Sequence, residues 1–325
     1  VRKGRCVMNT ETEKTEAIVI DGLTKKYGDF TAVDHLDLRI HKGEVFGLLG
    51  PNGAGKTTTT LMLLGLTEPT EGRATINGID CVRESIRVKS AVGYLPDNVG
   101  FYGSMTGREN LRFMGKINGL SGEELEQRID ELLQRVNMVD AADKKTSTYS
   151  RGMRQRLGIA DVLMKDPQII IMDEPTLGID PEGVRELMLL IRDLAESDGR
   201  TILLSSHQLY QVQKVCDRMG IFVHGRMVAC GSLEELGRQI NSEGKSTTEL
   251  SVYPDNIGLQ KIFKEMDGIN SIEHSSDMYV LRTEYDLRMK LSRELTEKGY
   301  TIMHMRQASS DLDEIYRTYF EKEAV

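Results

Sequence analysis

The chain has 325 residues, of which 39% are hydrophobic and 28% charged, with a formal net charge of −8. That length exceeds what one core usually fills, so two domains are expected. The acidic balance argues against a general nucleic-acid binder, and no apolar run reaches the roughly 20 residues a membrane-spanning helix needs.

Residues 1–16 are polar and aperiodic and predict a disordered tail with no secretory signal; Met8 is an alternative start. From residue 17 to about 240, short apolar runs alternate with helical patterns. "AIVI" (17–20), "VFGLLG" (45–50), "AVGYL" (91–95), "QIIIM" (168–172), "TILLS" (201–205) and "MGIFV" (219–223) read as strands. Several are apolar on consecutive residues, as strands buried on both sheet faces require. Between them, Thr106 with Glu109 and Ser121 with Glu124 have the spacing of capping boxes. Asp180-Pro181 sets an N-cap before a proline at the first helical position, and the helix that follows puts Val184, Leu187, Met188, Ile191 and Leu194 on one face. The pattern predicts a layered α/β domain. The cysteines Cys6, Cys81, Cys216 and Cys230 are scattered, without metal spacing, as expected of reduced thiols in a cytosolic protein.

"NSEGKSTT" (241–248) reads as a linker to a second domain, 241–325. There the predicted order is strand (248–253), helix (256–266), strand (269–274), strand (277–283), helix (285–298), strand (300–306) and a last helix opened by Asp311. That βαββαβ order is ferredoxin-like. It carries no catalytic constellation and reads as a packing or dimer-stabilising appendage, with a ligand-sensing role the alternative.

The chemistry lies in the first domain. "GPNGAGKT" (50–57) follows a strand and precedes a helix, the setting a P-loop needs. Gly53 and Gly55 permit a turn whose N–H groups face phosphate oxygens, and the helix N-terminus behind them adds positive potential. Lys56 would reach the β- and γ-phosphates, and the Thr57 hydroxyl would ligate Mg²⁺. "QIIIMDEP" supplies two carboxylates at a strand end: Asp173 to hold the metal and Glu174 to polarise the attacking water. No NKxD guanine-reading motif accompanies them, which argues against a GTPase.

The stretch "YSRGMRQR" (149–156) is ambiguous by itself, because Ser150 is also a plain N-cap and its arginines could be a solvated face. With "GPNGAGKTT", "IIIMDEP" and "SSH" in the same order, the chain resembles the nucleotide-binding subunit of an ATP-binding-cassette (ABC) transporter. It is most similar to the export branch that serves separate, drug-efflux-like permeases. The match spans roughly residues 17–235, with "YSRGM" where the family has its Leu-Ser-Gly-Gly-Gln signature.

The resemblance implies a P-loop NTPase fold with a helical subdomain at about 98–165. It implies Mg-ATP contacts through Gly50, Pro51, Asn52, Gly53, Ala54, Gly55, Lys56, Thr57 and Thr58, an adenine stack on Tyr27, and catalysis by Glu174 with His207 sensing the γ-phosphate. It further implies head-to-tail pairing, either as a homodimer or with a related cassette. Ser150 and Gly152 then meet the other chain's ATP, and Asp180 serves as the D-loop aspartate. The expected partner is an integral-membrane permease docked on the helical subdomain, and the expected location is the cytoplasmic face of the membrane; no nucleic acid is expected. Asp97 departs from the usual Q-loop glutamine, although its carboxylate can still help hold Mg²⁺; Arg151 and Met153 depart from the usual glycine and glutamine. A soluble ABC ATPase acting on nucleic acid or ribosomes, and a regulatory ATP-binding module with little turnover, are the competing readings.

Overall fold

The computed structural model describes residues 15–236, 246–275 and 278–307. The chain divides into two compact units between Ala229 and Cys230, about ten residues ahead of the polar stretch read as the linker. Residues 1–14, the linker's 241–245 and the helix expected from Asp311 lie outside the described residues. Ser246, Thr247 and Thr248, read as linker, are strand.

The first unit is built on a six-stranded sheet ordered β10-β9-β3-β8-β7-β6. Its members are β3 (Val45–Leu49), β6 (Val92–Leu95), β7 (Ile169–Asp173), β8 (Thr201–Ser206), β9 (Arg218–Val223) and β10 (Arg226–Gly231). The inner pairs β6/β7, β7/β8, β8/β3 and β3/β9 are parallel. Every residue of β3, β7 and β8 is buried, because helices cover both faces of such a sheet. Each fully buried aliphatic side chain here stabilises the fold by roughly 1.5–3 kcal/mol.

A second, four-stranded sheet was not anticipated from the sequence. It is ordered β2-β1-β4-β5, with β1 (Glu16–Tyr27), β2 (Phe30–His41), β4 (Glu71–Ile76) and β5 (Ile79–Asp80) all antiparallel to their neighbours. "AIVI" therefore belongs to this sheet and not to the parallel one. In β2 the buried Val33, Leu36, Leu38 and Ile40 are interleaved with charged residues, the signature of a strand with one wet face.

The helices are α1 (Lys56–Leu63), α2 (Ser85–Ala91), α3 (Gly107–Ile117), α4 (Gly122–Arg135), α5 (Arg151–Leu163), α6 (Pro181–Glu196) and the short α7 (Leu209–Val212). Helix α3 has the expected capping box, Thr106 Oγ1 accepting from the Glu109 N–H and Glu109 Oε2 from the Thr106 N–H. Ser121 is the N-cap residue of α4 but its side chain makes no cap bond; Gly122 follows it at φ +62°, outside the helical geometry a box needs. Helix α6 is capped by Asp180, buries Leu187, Met188, Ile191 and Leu194, and leaves Val184 half-buried.

The second unit contains β11 (Ser246–Tyr253), α8 (Ile257–Glu265), β12 (Ile269–Ser275), β13 (Met278–Thr283), α9 (Arg288–Glu297) and β14 (Thr301–Gln307). Its sheet is ordered β12-β13-β11-β14, antiparallel throughout, so the strand order interleaves the two βαβ halves. The inward faces of β11 and β13 bury Leu250, Val252, Tyr279 and Leu281 against Leu259, Phe263, Leu291 and Leu295 of the helices. Among the described residues no helix is long and apolar enough to cross a membrane.

Candidate active site

At the C-terminal ends of β3, β7 and β8 the buried strands give way to polar residues, the edge at which open α/β sheets bind ligands. Strand β3 runs into the loop 50–55, with Gly53 at φ +82° and Gly55 at φ +107°. A Cβ on Gly55 would stand 2.3 Å from the Ala32 carbonyl oxygen, so only glycine lets the loop close against β2. Helix α1 starts directly after it with no side-chain cap, leaving the first-turn N–H groups without a side-chain partner.

The buried Lys56 ammonium donates to the Gly50 and Pro51 carbonyls at 2.7 and 3.1 Å and lies 3.2 Å from Glu174 Oε1. Thr57 Oγ1 donates to Asp173 Oδ2 at 2.8 Å, while the Ser205 hydroxyl donates to Asp173 Oδ1. Glu174 has a positive φ of 45°. That conformation costs a non-glycine residue of order 1–3 kcal/mol and persists only where surroundings enforce it. Here the Glu174 N–H is fixed on Ser205 Oγ at 3.1 Å and on the Ser205 carbonyl at 3.2 Å. His207 Nδ1 lies 2.8 Å from Glu174 Oε2. Lys56, Thr57, Asp173, Glu174 and His207, drawn from three strand ends, thus form one connected cluster.

A cavity of about 450 Å³ opens over this cluster. Its lining includes Asn52, Gly53, Gly55, Lys56, Thr57, Thr58, Asp97, Asp173 and Glu174, together with Tyr27 and Phe30 at the tip of the β1–β2 hairpin. Tyr27 is 51% and Phe30 62% exposed, so both rings are open to a ligand. Pro51, Gly50 and Ala54 complete the loop from behind: the first two hold Lys56, and the Ala54 carbonyl accepts from the Gly225 N–H at 3.0 Å. Burial, reinforced by the negative charges of Asp173 and Asp97, pushes the Tyr94 hydroxyl up to about 12. A hydroxyl and a carboxylate facing each other across 2.8 Å form a hard oxygen pair of the kind Mg²⁺ takes alongside nucleotide phosphates, so the residues fit that ion.

The sequence left several of these groups unassigned. Ser205 anchors both acidic residues, and its signal was a polar end to the apolar run "TILL". Phe30, Ala32 and Leu177 also line the cavity. Gln211 accepts the Thr176 hydroxyl proton and so ties the loop after Glu174 to α7.

Ser150, Gly152 and Asp180 are not part of this cavity's lining. Ser150 is exposed and caps α5, its Oγ accepting from the Met153 N–H at 3.2 Å. Asp180 caps α6, its Oδ2 accepting from the Gly183 N–H at 3.1 Å.

The ABC transporter family model matches residues 33–177, from β2 to the loop after β7. The linearmycin resistance ATP-binding protein LnrL of Bacillus subtilis is 36% identical over 281 residues, covering 86% of this chain and 87% of that protein. The chain belongs to the ABC transporter family. It is an ATP-binding, ATP-hydrolysing subunit. The bacitracin transport ATP-binding protein BcrA of Bacillus licheniformis is 32% identical, covering 90% of this chain and 94% of that protein. Among solved structures, an ATP-binding cassette dimer in a post-hydrolysis state with ADP and Pi superimposes with a TM-score of 0.61 at 26% identity, covering 66% of this ATPase and 98% of that chain. The similarity to transporter subunits favours work in transport over the soluble alternative.

Proposed function

We propose that this ATPase works as a head-to-tail pair in which each nucleotide lies between the P-loop of one chain and the Ser150 end of α5 of the other. The observation that carries this reading is the exposed position of Ser150 at the N-terminus of α5, while Lys56 and Glu174 are buried at the cavity. A serine presented at an exposed helix N-terminus suits a phosphate arriving from outside its own chain. The similar cassette bound to ADP and Pi is dimeric, which supports pairing.

In the separate chain the Lys56 ammonium rests on Glu174. A bound triphosphate competes for that ammonium, and its release frees the Glu174 carboxylate to accept a proton from the attacking water. His207 holds Glu174 Oε2 in place and registers the γ-phosphate. Thr57 and Asp173 are the protein's ligands for Mg²⁺, which when bound offsets phosphate charge. Tyr27 stacks on adenine, with Asp180 following the same closure from the start of α6. Contacts to the γ-phosphate from both chains exist with ATP and not with ADP, and that difference drives opening and closing.

The named relatives serve resistance to, or transport of, antibiotics. They support export of a small molecule through a separate membrane permease, with this subunit held on the cytoplasmic face. The test is to tag the chain in its own cell, solubilise the membranes gently and weigh the complex. Two cassette copies with a multi-spanning membrane protein are expected; a chain recovered with ribosomes or nucleic acid and no membrane protein would overturn the transport arrangement.

A further inference from the structure

Two positions that depart from the family's usual residues meet in this chain. The Arg151 guanidinium donates from Nη2 to the Asp97 main-chain carbonyl at 3.2 Å. Gln155, one turn further along α5, donates from Nε2 to the same oxygen, also at 3.2 Å. One backbone oxygen therefore docks the Asp97 loop, which lines the nucleotide cavity, onto the first turns of the helix that presents Ser150.

The same arginine reaches a third segment. Gly178 sits at φ +70° in the loop before α6, and a Cβ built there would stand 3.0 Å from Arg151 Cδ and 3.3 Å from its Nε and Nη1. The arginine side chain thus lies flat against backbone that carries no side chain. Next to it the Ile179 side chain packs against Gly152, where a Cβ would stand 3.3 Å from Ile179 Cγ2. The docking is polar and incompletely satisfied: Gln155 is buried, and its Oε1 has no hydrogen-bond partner among the described residues. A buried acceptor without a donor is energetically costly, so this contact differs from a rigid apolar core.

We propose that Arg151 is a positioning residue that ties the Asp97 loop and the 177–180 loop to the start of α5, so that the Ser150 end moves with the loop bordering its own chain's nucleotide. The inference rests on the paired arrangement proposed above and adds a route within one chain. What happens at one nucleotide is carried to the serine offered to the other. Arginine suits the task because its planar fork serves a carbonyl at one end while its stem and remaining edge cover Gly178. A lysine supplies one point donor and cannot do both.

The test uses the full chain, with Arg151→Ala, Arg151→Lys and the pair Arg151→Ala and Gln155→Ala alone and combined. Hydrogen exchange is followed in peptides covering 96–99, 150–154 and 56–63, and hydrolysis is measured across ATP concentrations. Arg151→Ala is expected to speed exchange at 96–99 and 150–154 together while leaving 56–63 unchanged. It is expected to lower kcat about tenfold with KM within about twofold, a split that uniform loss of binding does not produce. Arg151→Lys should recover part of kcat. The two alanine variants should combine less than additively, since their donors share one acceptor. Unchanged exchange in Arg151→Ala would overturn the tie. Faster exchange with native kcat, or kcat and affinity lost together, would overturn its positioning role. A wild-type chain that never pairs with ATP would instead refute the head-to-tail reading, and the exchange data would still decide whether the tie exists.

Discussion

Two helix N-termini in this cassette, both assigned to phosphate in the arrangement proposed above, are built in opposite ways. Helix α1 follows Gly55 in a left-handed conformation, has no side-chain cap, and shares its cavity with buried Lys56, Asp173 and Glu174. Helix α5 follows Ser150 in an extended conformation, is capped by that serine's own hydroxyl, and is exposed where it begins. A missing cap leaves backbone N–H groups open to a ligand; a local cap satisfies one of them within the chain. The contrast teaches that the site is divided by how each helix end satisfies its own backbone.

A large effect on binding is expected from removing the charge at the α1 end. Lys56→Ala deletes the ammonium and leaves Glu174 buried without its counter-charge. The affinity loss comes from the ammonium–phosphate pair: removing one partner of a buried charge pair across a binding interface costs roughly 2–5 kcal/mol, so ATP affinity should fall about 30-fold to several thousand-fold in a nucleotide titration. Native affinity in that variant would remove the ammonium from phosphate binding.

Glu174→Gln should separate binding from chemistry. It keeps the shape, lets ATP bind, and should slow hydrolysis by ~10²–10⁴-fold. Size exclusion with Mg-ATP should then find a long-lived dimer, whereas a chain that turns over at the native rate would exclude Glu174 as the base.

These two residues also mark how far the sequence could be read. The P-loop and the "DEP" carboxylates were legible because their chemistry is local: a glycine turn, a lysine and a strand end lie within a few residues of one another. Ser205 was not assigned because it meets Asp173 and Glu174 only after β7 and β8 pair. Strand β2 escaped because its apolar residues alternate with charges, whereas the parallel strands announce themselves as unbroken apolar runs. The contact of Arg151 with Asp97 spans more than fifty residues and uses a backbone oxygen, which no side-chain pattern encodes. In the sequence, the proposed trans placement of Ser150 rests on resemblance, since an N-cap serine looks the same whether or not a phosphate visits it.

A smaller effect is expected away from both ends, in the helix that carries Ser150. Burial raises the Asp161 carboxyl from its ordinary 3.8 to about 6, with nearby Lys165 opposing the shift, and Oδ1 has no hydrogen-bond partner among the described residues. The folded chain therefore holds this proton more tightly than the unfolded one. Stability linked to Asp161 is fully present below about 3.8 and is lost as pH rises through about 6. Asp161→Asn should stabilise the chain above pH 6 by about 1–3 kcal/mol and change little below pH 4, read as Tm across pH. A gain of equal size at every pH would assign the effect to packing. Because Asp161 lies on α5, that result would also sharpen the comparison, separating the helix's stability from the work of its N-terminus.

The central claim is that the Ser150 end of one chain completes the nucleotide site of another, and mixing two defective chains tests it most directly. Lys56→Ala and Ser150→Ala should each be nearly inactive alone. Paired head to tail, one of their two sites collects both defects, while the other combines intact Lys56 from one chain with intact Ser150 from its partner. Mixing should restore ATP hydrolysis well above the sum of the separate variants. Activity that stays at that sum, in mixtures shown to contain the mixed dimer, would mean that Lys56 and Ser150 must come from the same chain, and would contradict the account.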